Sequence, residues 1–249
     1  YKSQSLIEHI RKAWTISPLF PECFVTVVPP QMQAGPNWFQ GTADAVCQNL
    51  HLVLSHHSNM VLVFGADHVY RMDIGQMIDF HLEHEADVTI GAVPVPLERA
   101  SDFGIVDVDA DGRVTGFFEK PQRPRPLPND ASRAFASMGN YLFSTCELLH
   151  ILREGRRQKE TDFGGQVLPR LLEDHRVFAY DFSGNELPGL KPYEQQAYWR
   201  DVGTIDAFFA AHHARIWDLH LHQRQPGVSQ TGFSWEQVCD WPGARGPHV

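Results

Sequence analysis

Asp67 and Asp201 each close a short apolar stretch, Val61-Leu-Val-Phe-Gly-Ala-Asp67-His68 in one case and Tyr198-Trp-Arg-Asp201 in the other. A carboxylate delivered by a buried strand to a sheet edge is a hard oxygen donor, suited to Mg²⁺ and through it to phosphate. Two such acids on one edge can share a metal ion. The plainer reading is capping, because Asp after a strand often caps the next turn, and Asp201 and Thr204 stand where a last helix begins. The two uses are compatible. Phe117-Phe-Glu119-Lys120-Pro121 sets a carboxylate beside an ammonium group. Glu119 can accept hydrogen bonds from sugar hydroxyls while Lys120 neutralises a phosphate, although on an ordinary surface strand Glu-Lys is a solvated pair. Asn37-Trp-Phe39-Gln-Gly41-Thr42 joins aromatic residues to a helix start, whose free N–H groups can meet a base edge or an anion.

Other chemistries find little support. Among the 14 histidines, His81-x-x-His84, His56-His57, His212-His213 and His220-x-His222 fall on helix faces, loops or an unpatterned tail. No third ligand stands at a matching spacing, so they read as solvated side chains. The four cysteines, at 23, 47, 146 and 239, form no Cys-x-x-Cys pair, which argues against a zinc ribbon and fits a reducing cytosol. Neither a Walker loop nor a Gly-x-Ser-x-Gly elbow occurs. With 30 acidic against 21 basic residues and a formal charge of −9, the chain offers no field that would attract a nucleic-acid backbone. Small anionic substrates stay open, because a local cation or metal can overcome that field. Apolar runs such as Met60 to Phe64 are too short to span a membrane.

The elements that must position these groups follow from hydrophobic period. Leu6, Ile7, Ile10 and Trp14 predict a helix over 3–14, and Cys23 to Val28 a strand closed by Pro29-Pro30. Helix is expected from Gly41 to Leu54, then strand at Met60–Phe64. Asp73 is the expected cap of a helix carrying Ile74, Met77, Ile78 and Leu82, and Asp87 to Val95 should be strand. This alternation is that of an α/β fold with a mainly parallel sheet, whose ligands gather at the carboxyl ends of strands. Ile105–Val108, a turn at Asp109-Ala-Asp-Gly112 and Val114–Phe118 read as an inserted antiparallel hairpin. The proline-rich stretch from Pro121 to Pro128 should be a surface loop. Ala134 to Phe143 is the next expected strand, with helices near 144–154 and 164–173, a strand over Val177–Phe182 and a helix from Thr204 carrying Ile205, Phe208 and Phe209. Periodicity ends near His222, so residues 1–221 are expected to form one domain and 222–249 an unspecified tail.

Seven collinear segments, NWFQGTADAV at 37–46, ADHVYRMD at 66–73, PVPLERASDFGIV at 94–106, FFEKP at 117–121, SMGNYLF at 137–143, DFGGQVLP at 162–169 and YWRDVGT at 198–204, together resemble the ADP-glucose pyrophosphorylases, or glucose-1-phosphate adenylyltransferases. The resemblance runs from about residue 1 to residue 218. It implies a Rossmann-like nucleotidyltransferase fold and the reaction of ATP with glucose 1-phosphate to ADP-glucose and pyrophosphate, with Mg²⁺ as cofactor, in glycogen or starch synthesis. By the same resemblance Asp67 and Asp201 are metal-holding acids, Gly104, Glu119, Lys120 and Ser137 seat glucose 1-phosphate, and Trp199 walls the sugar pocket. Gly41 and Thr42 lie beside the nucleotide, and Phe39 is a ligand contact. Full-length family members form tetramers in the cytoplasm, or in the plastid of a plant.

The match also has departures. Tyr is usual in the family where Phe39 stands, and Ala-Gly-Asp where this chain has Gly65-Ala66-Asp67. The chain opens on Tyr1 inside a helical pattern, so it reads as a piece of a longer protein. The family's glycine-rich ATP segment and its carboxy-terminal β-helix have no counterpart here, and the expectation is weak activity for these residues alone. A non-catalytic regulatory-type subunit, or a sugar-phosphate-binding fragment of the same fold, is the alternative.

Overall fold

The computed structural model describes residues 3–13, 25–30, 38–190 and 194–212. The chain divides into two units, Tyr1–Trp38 with Gln225–Val249, and Phe39–Arg224. In the first, α1 (Ser3–Ala13) is the helix expected there, with Ile7 and Ile10 on its half-buried side and Leu6 exposed. Residues 25–30, which cover most of the expected Cys23–Val28 strand, are not strand. The expected tail at 222–249 lies outside the described residues.

The second unit is built on a six-stranded sheet. Its strands are β1 (Met60–Phe64), β3 (Val88–Pro96), β4 (Gly104–Val108), β5 (Val114–Glu119), β6 (Arg133–Ser144) and β7 (Val177–Asp181); β2 (His68–Tyr70) stands outside it. β3 and β7 pair in parallel, while β6 pairs antiparallel with β1, β3 and β4, and β4 pairs antiparallel with β5. The α/β class is as expected, but the mainly parallel pairing needs correction. β1, β3 and β7 do point the same way; α4 lies between β1 and β3 in sequence, while β4, β5, β6, α5 and α6 lie between β3 and β7. β6 runs the other way and inserts itself between β1 and β3. An apolar run such as Ala134–Phe143 reads the same for either direction, so periodicity could not reveal this.

The sheet is covered on both faces. On one side Val88, Ile90, Tyr141 and Phe143 meet α5 (Thr145–Gln158), α6 (Leu168–Leu171) and the Phe163–Val167 turn. On the other, Val93, Val95, Met138 and Leu142 meet Met77 of α4 (Ile74–Glu83) and Ala100 of the Leu97–Asp102 turn. Asp73 caps α4 as its type predicts, accepting from Gly75 N at 2.9 Å. The helix expected over 41–54 breaks into α2 (Thr42–Gln48) and α3 (Leu50–Ser55). Asn49 interrupts it by turning its side-chain amide onto Ala45 O at 2.8 Å. The helix over 205–212 leaves Ile205 (87%), Phe208 (52%) and Phe209 (63%) exposed rather than buried. Among the described residues no helix is long and apolar enough to cross a membrane.

One of the histidines expected to be solvated is not. His81 is 2% exposed on α4, with Nδ1 2.8 Å from Thr89 Oγ1 and Nε2 3.3 Å from Ser144 Oγ. Both hydroxyls can donate or accept, so the neutral ring is fully satisfied in the core. Burial pushes its pKa down; Asp87 opposes that and Arg176 adds to it.

Candidate functional site

The site begins with an arrangement on β6. Along one edge, β4 pairs with Phe135 and Ala136, and β1 pairs with Asn140 through Ser144. The two partners therefore lie end to end, and the carboxyl end of β1 meets the amino end of β4 opposite Ser137-Met138-Gly139. On the other edge the β3–β6 register slips at Gly91/Ala92, so the same segment bulges out of the ladder. Gly139 sits at φ +69°, a conformation open to glycine and strained for other residues. Its carbonyl accepts from Gly65 N at 3.0 Å, which ties the end of β1 to the bulge.

From there the chain passes through Asp67 into β2 (His68–Tyr70), which forms a two-stranded ribbon with β8 (Trp199–Asp201). The register sets His68 opposite Asp201 and Tyr70 opposite Trp199, and Val202 N donates to Asp67 O at 2.9 Å. Asp67, His68 and Asp201 thereby present three donor atoms within 4.8 Å of one another. Two carboxylate oxygens and an imidazole nitrogen at this spacing fit a divalent cation by number and by type. The capping reading also holds: Asp201 Oδ1 accepts from Gly203 N at 2.7 Å, and Thr204 Oγ1 accepts from Ala207 N at 3.1 Å. One oxygen of Asp201 is not held by that turn.

Gly65 and Ala66 stand in the reverse of the usual family order without strain, since neither adopts a positive φ. Aromatic contacts connect this corner to the next. Trp199 lies edge-on to His68 at 5.1 Å and to Phe103 at 5.4 Å, and its indole Nε1 is buried without a hydrogen-bond partner among the described residues.

Phe103 leads into Gly104, which pairs with Glu119 across the hairpin. A Cβ at Gly104 would stand 3.0 Å from Phe117 Cζ and 3.1 Å from Glu119 Oε2, so glycine leaves the room this carboxylate occupies. Lys120 follows at φ +46°, unusual for a long side chain, and its N–H donates to Phe103 O at 3.1 Å. Glu119 and Lys120 are both exposed, and Lys120 has no ion pair among the described residues. Ser137 is 9% exposed in the bulge, and its hydroxyl accepts from Gly139 N at 3.3 Å. Burial pushes the pKa of nearby Tyr141 up to about 12, with the Ser137 side chain opposing the rise and the Asp162 and Glu119 charges adding to it.

Gly41 and Thr42 pack against the turn that follows α5. A Cβ on Gly41 would lie 2.4 Å from Thr161 O, so only glycine permits this approach. Thr42 Oγ1 donates to Asp162 Oδ1 at 2.8 Å and accepts from Phe163 N at 3.1 Å. Asp162 Oδ2 accepts from Gly165 N at 2.8 Å, and a Cβ on neighbouring Gly164 would lie 3.4 Å from Glu119 Oε2. Asp162 therefore links the Gly41–Thr42 segment to the Glu119 side. Phe39 is half-buried just ahead of this segment.

The structure thus brings Asp67, Asp201 and Trp199 together, and Gly104, Glu119, Lys120 and Ser137 together, with Phe103 and the β6 bulge joining the two groups. Gly41 and Thr42 reach them through Asp162. Sequence reasoning overlooked His68 and Asp162. The signal for His68 was its place beside Asp67 at the strand end; Asp162 showed only as part of DFGG.

Glucose-1-phosphate adenylyltransferases of Thermodesulfovibrio yellowstonii, Thermus thermophilus and Vibrio cholerae are similar to the chain at 55%, 46% and 40% identity. The alignments cover 85%, 85% and 97% of this chain but 52%, 52% and 58% of those proteins. The chain thus spans about half the length of the curated relatives it matches. The family model described as nucleotidyl transferase matches residues 1–216. The chain belongs to the nucleotidyl transferase family.

Proposed function

We propose that these residues form the metal-holding and sugar-phosphate-holding part of a glucose-1-phosphate adenylyltransferase, which converts ATP and glucose 1-phosphate to ADP-glucose and pyrophosphate. The observation that carries the reading is the junction opposite Ser137–Gly139, where the Asp67–Asp201 pair and the Gly104–Glu119–Lys120 group flank one bulged segment of β6. The names of the relatives support it. Cytosolic residence and assembly into tetramers belong to the same proposal.

The reaction is an in-line attack of a sugar-phosphate oxygen on the α-phosphorus of ATP, with pyrophosphate leaving, and it needs no covalent nucleophile. Held by Asp67 and Asp201, Mg²⁺ would neutralise charge on the reacting phosphates. Lys120 offsets the negative charge of glucose 1-phosphate while Glu119 accepts hydrogen bonds from its hydroxyls. Ser137 offers a hydroxyl from within the β6 bulge. Trp199 supplies an apolar wall for the sugar ring. The Gly41–Thr42 segment, locked to Asp162, sets the position of the nucleotide side.

The test is pyrophosphate release with both substrates and Mg²⁺, compared for the 249-residue chain and for the same chain extended upstream by the glycine-rich segment of a relative. The extended chain should release pyrophosphate only when both substrates are present. Binding of glucose 1-phosphate by a well-folded extended chain that never releases pyrophosphate would favour the non-catalytic alternative.

A further inference from the structure

We infer that His68 is a metal ligand through Nε2, the third beside Asp67 and Asp201, and that it biases this site toward manganese-class ions over magnesium. The inference rests on the proposed metal role of the two aspartates and adds to it a residue and a selectivity.

The orientation of the ring carries the argument. His68 Nδ1 lies 2.6 Å from Met138 O. A carbonyl oxygen only accepts, so Nδ1 bears the proton of that bond, and a neutral imidazole then keeps its lone pair on Nε2. Nε2 faces Asp67 Oδ1 at 3.7 Å, within the cluster that also includes Asp201. A nitrogen lone pair facing a carboxylate oxygen can be bridged by a proton, a water or a cation, and only a divalent cation also engages Asp201 in the same cluster.

The ring is also held. Trp199 stands edge-on to it, a Cβ at Gly139 would lie 3.4 Å from its Cε1, and its side chain is 13% exposed. Metal-bound histidines typically donate their second N–H to a carboxylate or backbone carbonyl, which fixes tautomer and direction. Met138 O fills that place here. Mg²⁺ prefers an all-oxygen shell, whereas Mn²⁺ and the later divalent metals accept imidazole nitrogen readily. A site with one nitrogen and two carboxylates should therefore hold Mn²⁺ more tightly than Mg²⁺.

The experiment is electron spin-echo envelope modulation of Mn²⁺ bound to the whole chain, at natural abundance and after ¹⁵N-histidine labelling, together with Mn²⁺ and Mg²⁺ titrations. The variants are His68→Gln and, separately, Asp67→Asn and Asp201→Asn. The expected result is one bound Mn²⁺ with imidazole nitrogen modulation that changes on labelling and disappears in His68→Gln. That variant should weaken Mn²⁺ by about tenfold or more, the scale on which even outer partners of a ligand act, and weaken Mg²⁺ less. Mn²⁺ that needs both aspartates but shows no histidine nitrogen, or whose modulation survives in His68→Gln, overturns the role of His68 and leaves the carboxylate pair standing. Mn²⁺ that fails to bind, or binds regardless of Asp67 and Asp201, removes the metal reading and this inference with it. The labelling needs no substitution, so poor folding of a variant does not decide the outcome.

Discussion

Asp67 and Asp201 are brought together by a ribbon of three residue pairs whose middle residue, Val69, is 45% exposed. Glu119, in contrast, ends a strand rooted in the core: Phe117 is 6% exposed two residues earlier, close to Gly104 and Gly164, and the Phe163 turn packs beneath at 1% exposed. The proposed metal corner thus depends on a long-range register backed by the half-buried rings of Tyr70 and Trp199, while the proposed sugar-phosphate corner depends on fully buried aromatic residues. A substitution in the first should remove chemistry and spare the fold; a deep substitution in the second should do both.

Phe163→Ala should have the largest effect. The ring sits between Tyr141 and Phe143, at 5.8 and 5.6 Å, and its loss should cost about 3–5 kcal/mol of stability, read by denaturant unfolding. A smaller cost than that of a surface substitution would erase the contrast between the corners. Asp67→Asn or Asp201→Asn should leave unfolding nearly unchanged while lowering turnover by a factor corresponding to about 2.7–4 kcal/mol, as for removal of one preorganised electrostatic group. Near-normal turnover would remove these acids from the reaction. Lys120→Ala should mainly raise the half-saturating concentration of glucose 1-phosphate, by about 1.5–3 kcal/mol for a lost charged hydrogen bond; an unchanged value would detach Lys120 from the sugar site.

Gly41→Ala should cost about 1–3 kcal/mol, because the added methyl would meet backbone at Thr161. The smallest effect concerns neither corner. The lowered pKa of His81 means that the unfolded chain binds this proton more readily, so stability should fall as pH drops below about 6.5 and level off once the folded group also protonates. His81→Gln should flatten that part of the stability-pH curve. An equally steep curve would assign the acid sensitivity to other groups.

Much of the candidate site was legible because strand ends announce themselves. Asp67 follows a continuous apolar run, Glu119 ends a hairpin with a clear turn at Asp109–Gly112, and Asp201 precedes a helix start. The hairpin forms as expected, with Asp109 Oδ1 accepting from Asp111 N and Arg113 N, and Gly112 at φ +80°. What the chain does not spell out is which strands become neighbours. The insertion of β6 between β1 and β3 is a tertiary choice, and the junction opposite Ser137–Gly139 follows from it. His81 looked like any helix-face histidine because its partners, Thr89 and Ser144, lie on other elements. Thr42 likewise suggested a free helix start, although its hydroxyl is engaged by Asp162 far along the chain.

On the proposed function, Asp67 and Asp201 hold one divalent ion next to a hexose phosphate seated by Lys120. Crystals of the chain grown with Mn²⁺ and glucose 1-phosphate, examined by anomalous diffraction, test it most directly. A single anomalous peak bonded to a carboxylate oxygen of each aspartate is expected, with the sugar phosphate turned toward Lys120. A peak on only one of the two acids, or a sugar phosphate bound away from Lys120, would contradict it.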